Sequence, residues 1–168
     1  LQVLVESGYC SASVIEQMLA NPWVQAKIPE LRISADVTIT APVARPSKII
    51  CLGRNYKDHI REMDDTEPEE PLFFSKAPSS IIASGEHIII PDWLEGRIDH
   101  EAELGVVIGK SGKNIPEADA ADHIAGYTIV NDVTARSMQQ QDIKEGNPWL
   151  RSNCLDTFFP VGPYLVPA

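Results

Sequence analysis

The chain has 168 residues, of which 43% are hydrophobic and 23% charged, and its 24 acidic and 14 basic residues give a formal net charge of −10. This composition suits one domain with a sizeable core and excludes intrinsic disorder. A nucleic-acid partner is disfavoured because such proteins carry a clustered basic face. A membrane partner is disfavoured because no apolar run approaches the roughly 20 residues that cross a bilayer.

The start of the chain and its cysteines bear on location. The first residues have neither a basic start nor a long apolar stretch, so no signal peptide is predicted. Cys10, Cys51 and Cys154 have no spacing typical of a disulfide framework or a zinc site. The cytoplasm is therefore the expected location.

Residues 1–47 are predicted to form a small N-terminal module. Residues 13–20 have the composition of a short helix, with Ser11 or Ser13 as its N-cap, and Pro22 ends it because proline disfavours helix in the preceding residue. Apolar and polar residues alternate over 31–39, which predicts a half-buried strand.

Residues 48–168 are predicted to form the main domain, which is rich in strands. Two further helices are expected, at 56–63 and 116–121. Strands are expected at 48–52, 88–90, 102–108 and 125–133, and a strand-like stretch at 149–166 is broken by Pro160, Gly162 and Pro163. The predicted class is a β-rich α+β protein.

Two glutamates stand two residues apart in one predicted strand. Side chains at such a spacing project from the same face, so Glu101 and Glu103 point together while Leu104 faces the other way. Burying two like charges is costly unless a cation lies between them, and Mg²⁺ or Ca²⁺ prefers such oxygen ligands. The alternative is an ordinary solvated strand face.

Asp132 ends an otherwise apolar strand, where an unpaired carboxylate is unfavourable. With Glu101 and Glu103 it would complete a set of three carboxylate ligands. The alternative is that Asp132 caps the helix that follows.

His59 and Glu62 are three residues apart, so on a helix they share a face and can form a hydrogen bond. A histidine oriented by a carboxylate can act as a general base that activates water. Surface pairs of this kind are common, so a role without chemistry stays open at this point.

From about Pro46 to Ala168, these segments resemble the fumarylacetoacetate hydrolase family in order and spacing. The matching segments are KIICLGRNY at 48–56, Asp58-His59 with Glu62, PLFFSK at 71–76, HEAELGVVIG at 100–109, Gly126-Tyr127, NDVTAR at 131–136, LDTF at 155–158 and Gly162-Pro163.

The resemblance implies a mixed β-roll and a homodimer. It implies that Mg²⁺, Mn²⁺ or Ca²⁺ is bound by a Glu-x-Glu pair and a downstream aspartate, which match Glu101, Glu103 and Asp132. The expected substrate is a small 2-keto or 2,4-diketo acid. Hydrolysis of a carbon–carbon bond is the first expectation, followed by isomerisation, hydration or decarboxylation, with the metal stabilising the developing enolate.

The resemblance also assigns roles to residues around the metal ligands. His59 and Glu62 match the dyad that activates water, and the expected substrate contacts are Arg54, Tyr56, Arg136, Gln139 and Asn153. Arg136 suits a carboxylate because its guanidinium is a planar fork. The alternatives are a surface salt bridge for Arg136 and a solvated helix face for Gln139.

The sequence departs from the family pattern at two places. Asn153 stands where many relatives have a lysine, and an amide cannot supply a cation, although Arg151 is close in sequence. The chain also ends before the roll is complete, so either it is a fragment, the favoured expectation, or another chain supplies the missing C-terminal part. These departures motivate an alternative function, a metal-binding or subunit-forming relative without turnover.

Overall fold

The computed structural model describes Val5 and residues 10–30 and 36–168. In this part of the chain the helices are α1 (Ala12–Ala20), α2 (Pro22–Lys27), α3 (Lys57–Glu62), α4 (Arg136–Glu145) and α5 (Leu150–Asn153), with 3₁₀ segments at Pro78–Ser80 and Glu117–His123. The strands are β1 (Ile49–Gly53), β2 (Leu72–Lys76), β3 (Ile81–Ala83), β4 (Ala102–Ile108), β5 (Ile124–Asn131), β6 (Phe159–Val161) and β7 (Val166–Pro167). None of these helices is long and apolar enough to cross a membrane.

The strands form two sheets. β1 and β2 pair in antiparallel fashion, with Ile49 opposite Lys76. The larger sheet has the order β3-β6-β5-β4, and β7 also pairs with β5. Only β3 and β6 run parallel in this sheet, while β5 is antiparallel to β4, β6 and β7. The predicted β-rich α+β class is therefore confirmed, and the larger sheet is mixed.

β4 has the predicted bounds, and its side chains alternate between an exposed face and a partly buried face. Leu104, Val106 and Ile108 are exposed, whereas Glu103 is half-buried on the opposite face. Gly105 shares that inner face, where an added Cβ would lie 2.8 Å from Cγ1 of Val130 on β5. A larger residue would separate the two strands, so the glycine lets β5 pack closely beside Glu103.

Three small clusters of buried side chains form the core of the described residues. One surrounds Phe158, a second joins Val5 and Cys10 to Ala125, and a third joins Val130 to β6 and contacts Ala41. Residues from the first 47 therefore pack against the main sheet. The division into a module at 1–47 and a domain at 48–168 stays a prediction.

In the N-terminal segment, the helix predicted at 13–20 is confirmed as α1. Ser11 caps it, since its Oγ accepts a hydrogen bond from the Val14 amide at 3.3 Å, and Asn21 ends it. The first five residues of the strand predicted at 31–39 lie outside the described residues. Residues 36–39 carry no regular structure and pair with none of the strands described.

One strand prediction in the main domain was wrong, and a second was confirmed only in part. Residues 88–90 are irregular and largely exposed, and the Ile89 amide donates to the side-chain hydroxyl of Thr157 instead of to a neighbouring strand. The stretch 149–166 begins with helix α5, because Ser152 and Asn153 donate side-chain hydrogen bonds back to the carbonyl of Trp149 and favour a turn. Only β6 and β7 within this stretch are strands.

The remaining predictions differ from the structure mainly at their ends. The strands predicted at 48–52 and 125–133 are β1 and β5, the helix at 56–63 is α3, and the helix at 116–121 is a 3₁₀ segment. β2 and β3 were not predicted.

Candidate active site

One cleft collects side chains from both sheets and from three helices. Its lining includes most of the residues predicted for the site, namely Arg54, His59, Glu101, Glu103, Asp132, Arg136, Gln139 and Asn153. Tyr56 and Glu62 do not line it.

The carboxylates meet there because of the pairing between β4 and β5. The Asp132 amide donates to the Glu101 carbonyl at 2.9 Å, and the Glu101 amide donates to Oδ1 of Asn131 at 3.0 Å. These bonds extend the ladder past the ends of both strands, since Ala102 is already opposite Asn131. The start of one strand therefore carries Glu101 and Glu103, and the end of the next carries Asp132.

Lys76, which was not predicted as a site residue, lies beside Asp132. Its side chain is fully buried, and Nζ is 2.7 Å from Oδ1 of Asp132, which is itself only 2% exposed. Nζ donates to the carbonyl oxygens of Val133, Asn153 and Phe158 at 2.9, 2.6 and 3.1 Å. An ammonium has three protons. The orientation of Nζ favours these carbonyls, so its 2.7 Å contact with Oδ1 of Asp132 is an ion pair without good hydrogen-bond alignment.

Burial makes two carboxyl groups of this cleft, Asp132 and Glu103, harder to ionise. Burial raises the pKa of Asp132 even though Lys76 acts to lower it. Burial also raises the pKa of Glu103, and the charge of Asp132 adds to this effect. The negative charge of Asp132 thus opposes the ionisation of Glu103, which is a situation that an additional cation relieves.

The neighbouring thiol experiences the same environment. Burial, followed by the charge of Asp132, raises the pKa of Cys51 to about 12. Cys10, Cys51 and Cys154 are all free thiols, as expected.

Arg136 is the centre of a buried polar network on the side of Glu101. Its Nε donates to Asp99 at 2.8 Å, one terminal nitrogen donates to Gln139, and the other contacts the carboxylate of Glu101. Arg136 and Gln139 are both buried, so neither lies on a surface as the alternatives proposed. Although burial acts to raise the pKa of Asp99, hydrogen bonds from Arg97 and Arg136 outweigh it and hold that pKa below its usual value.

The predicted dyad lies at the edge of the cleft. Nδ1 of His59 is 3.7 Å from Oε2 of Glu62, and the Glu62 side chain is mostly exposed. Tyr56 lies away from the cleft lining, and its hydroxyl accepts a hydrogen bond from the Leu104 amide on β4. Arg54 has a left-handed backbone (φ 54°) and pairs with Asp65 at 2.7 Å. The catalytic and substrate-binding roles of these residues stay predictions.

The amide of Asn153 is engaged by the protein on both sides. Its nitrogen donates to the Trp149 carbonyl and to Oγ of Ser152, and its oxygen accepts from the Thr134 hydroxyl at 2.8 Å. Arg151 pairs with the buried Asp142 and does not line the cleft. It therefore does not stand in for the lysine that many relatives carry.

A family model described as the C-terminal domain of fumarylacetoacetate hydrolase matches residues 48–168. The chain belongs to the fumarylacetoacetate hydrolase family. The resemblance inferred from the sequence motifs is thereby confirmed.

Curated proteins and solved structures of this family are similar to the chain over about half of their own length. The chain is 43% identical over 162 residues to the mitochondrial oxaloacetate tautomerase FAHD2A of Homo sapiens, covering 96% of this chain and 49% of that protein. The chain thus spans about half the length of such curated relatives.

Two solved structures of the family show the same fold. Fumarylacetoacetate hydrolase from Exiguobacterium antarcticum superposes with a TM-score of 0.69 at 38% identity, over 81% of this chain and 48% of that one. The 5-carboxymethyl-2-hydroxymuconate delta-isomerase from Mycobacterium smegmatis superposes with a TM-score of 0.66 at 43% identity, over 79% and 51%. The expected fold of the fumarylacetoacetate hydrolase type is therefore confirmed.

The donor set of the cleft fits the divalent cation that the family implies. Oδ1 of Asp132 is a buried carboxylate oxygen without a hydrogen-bond partner among the described residues, and Glu103 is a second partly desolvated acid beside it. Within residues 10–30 and 36–168, however, no three acidic, histidine or cysteine side chains are already clustered closely enough to ligate one ion. Glu101 contacts Arg136 instead. Joint coordination by Glu101, Glu103 and Asp132 stays a prediction.

Proposed function

We propose that the protein containing this chain is a divalent-metal-dependent enzyme that interconverts the keto and enol forms of a small 2-keto acid. One observation carries this proposal. A single cleft is lined by Glu101, Glu103 and Asp132 together with a buried arginine and a histidine, and one oxygen of the Asp132 carboxylate is without a well-aligned hydrogen bond.

The residues divide the work by their chemistry. Glu101, Glu103 and Asp132 would hold Mg²⁺ or Mn²⁺, with Ca²⁺ as a further candidate, and the bound cation would supply Lewis-acid stabilisation of negative charge on the substrate oxygens. Arg136 and Gln139 lie side by side and suit a substrate carboxylate and carbonyl. His59 at the cleft edge can exchange protons with solvent, which suits removal of a proton from C3 of the keto acid and delivery of another to the C2 oxygen.

Tautomerisation is favoured over hydrolysis of a carbon–carbon bond, the first expectation from the sequence. Hydrolysis develops negative charge on a departing carbon fragment as well as on the oxygens that the proposed divalent cation would hold, and an additional side-chain cation would have to stabilise that fragment. In this cleft Arg136 is engaged by protein side chains, Lys76 is saturated by carbonyls, and Asn153 carries no charge. Moving a proton between carbon and oxygen needs no such leaving group. The relative FAHD2A of Homo sapiens is named an oxaloacetate tautomerase.

We also propose a homodimer in a reducing compartment, with the cytoplasm as the default. Support comes from the free cysteines and from the row of exposed apolar side chains on β4. Such rows mark association surfaces more often than open solvent.

A second candidate function is a metal-binding relative without turnover. The observation that favours it is that the protein itself engages both residues: the side-chain nitrogen of Asn153 donates two hydrogen bonds to protein groups, and each side-chain nitrogen of Arg136 already donates to a protein side chain.

The test uses the full-length protein, stripped with chelator and assayed with and without Mg²⁺ or Mn²⁺. Conversion of enol to keto oxaloacetate is followed by ultraviolet absorbance, and acylpyruvate cleavage is assayed in parallel. We expect oxaloacetate conversion only with metal, and a loss of about 10²- to 10⁴-fold in His59→Asn, the usual contribution of a general acid–base.

His87→Asn is the matched control, because His87 is an exposed histidine outside the cleft lining. Acylpyruvate cleavage that outpaces oxaloacetate conversion would show that hydrolysis is the reaction. Tight Mn²⁺ binding with no turnover of either compound would support the relative without turnover.

A further inference from the structure

Lys76 links the small sheet to three segments that surround the cleft. It ends β2, whereas its three carbonyl partners follow β5, end α5 and precede β6, at Val133, Asn153 and Phe158. These partners are 57 to 82 residues away in the sequence. One buried ammonium therefore ties together three chain segments, and Val133 is the residue next to Asp132.

The ammonium group of Lys76 directs its hydrogen bonds to backbone carbonyls, while its charge lies next to Asp132. Lysine paired with a carboxylate normally donates to it, and the charged hydrogen bond holds the oxygen's lone pair. Here the three protons go to carbonyl oxygens, while Oδ1 of Asp132 lies 2.7 Å from Nζ without a hydrogen bond. The carboxylate is thus charge-compensated, and because a carboxylate oxygen has two lone pairs, it can accept another electrophile even with Nζ in contact.

We infer that Lys76 is a positioning residue that presents Asp132 to the divalent cation. This inference rests on the proposed metal site and not on the identity of the keto acid. Partners that orient a metal ligand without touching the ion typically contribute about 10- to 100-fold to metal affinity. The arrangement depends on the three convergent bonds of an ammonium, which a planar guanidinium cannot reproduce around one atom.

Two variants separate the hydrogen bonds from the charge. Lys76→Met removes both and keeps the length of the side chain. Lys76→Arg keeps the charge and removes the convergent bonds, and the unfolding midpoint of each variant shows whether it is folded. The matched control is Arg151→Met, which takes the cation from the equally buried Asp142 at a site outside the cleft lining.

The measurement is the dissociation constant of Mn²⁺ by titration calorimetry, on chelator-stripped full-length protein, with the thermal unfolding midpoint of each variant alongside. We expect both Lys76 variants to bind Mn²⁺ at least about 10-fold more weakly at temperatures where they are folded. Arg151→Met is expected to lower the unfolding midpoint and leave the dissociation constant within about twofold.

Other outcomes overturn the inference in distinguishable ways. Wild-type affinity in Lys76→Arg would mean that charge alone is sufficient. Tighter binding in Lys76→Met would mean that Lys76 only repels the ion. If wild-type protein binds no Mn²⁺, the proposed metal site fails together with this inference, whereas the first two results leave the proposed function intact.

Discussion

The two faces of β4 differ in a way that reverses the usual rule for a soluble protein. On the inner face, Glu103 lies near Asp132, which is 2% exposed and beside a fully buried lysine. On the outer face, Leu104 is 62% exposed and Ile129, opposite it on β5, is 65% exposed. Charged side chains are thus buried on the inner face, and apolar side chains are exposed to solvent on the outer face. The inner face therefore buries charge at a cost in stability, which fits the proposed metal site, and the outer face fits the proposed homodimer.

The largest expected effect is at the inner face, with Asp132→Asn. Removing Asp132 from its buried ion pair leaves the charge of Lys76 uncompensated, which typically costs about 3–5 kcal/mol of unfolding free energy. We expect this cost to outweigh the gain from removing a carboxylate whose pKa is raised by burial. Denaturant unfolding in chelator measures this cost, and calorimetry should show that Mn²⁺ binding is lost. The proposed difference between the faces would be contradicted if Leu104→Asn, which introduces the same side chain on the outer face, lowered the unfolding free energy by as much.

A smaller effect of opposite sign is expected for Glu103→Gln in chelator. The folded protein raises the pKa of Glu103, so the folded state holds its proton more tightly than the unfolded state, and this carboxyl group loses stabilising effect as pH rises above about 4.5. Glu103→Gln has no carboxyl group at this position and therefore does not lose stability in this way as pH rises. Its stability relative to wild type should therefore increase with pH and level off above the raised pKa.

Thermal unfolding at a series of pH values measures this difference, with Glu69→Gln in the exposed loop as the control. Divalent metal should remove the disadvantage of the wild-type protein near neutral pH. A variant that becomes less stable than wild type as pH rises would show that Glu103 is not an unfavourable buried charge.

The smallest effect on the folded chain is expected at the outer face. Leu104→Asn should change Mn²⁺ affinity little, because Leu104 points away from the cleft. It should weaken self-association, which sedimentation velocity measures. Ile115→Asn, an exposed isoleucine outside this sheet, is the control and should leave association unchanged. If neither variant changed self-association, the outer face of β4 would not be the dimer interface.

The sequence predicted the inner face better than its surroundings. Alternation placed Glu101 and Glu103 on one side of β4 because strand geometry is local. Lys76 was missed because a lysine in a short strand is normally exposed, and its partners lie far away in the sequence.

Local propensity also misled where pairing decides the outcome. Ile88–Ile90 has the composition of a strand, but among the described strands it has no neighbour. The engagement of Arg136 with Glu101 was not predicted either, since a motif specifies residue types and not the direction in which a guanidinium turns.

The hydrogen bonds that continue the ladder beyond β4 and β5 set a limit on how the protein can change. Side chains alternate along β4, so an insertion of one residue ahead of Glu103 would move that carboxylate to the outside and bring a leucine into the cleft. The sheet could re-form its backbone pairing after such a shift, but the acid pair could not. Length changes in this gene segment are therefore expected to survive only outside the stretch from Glu101 to Gly105.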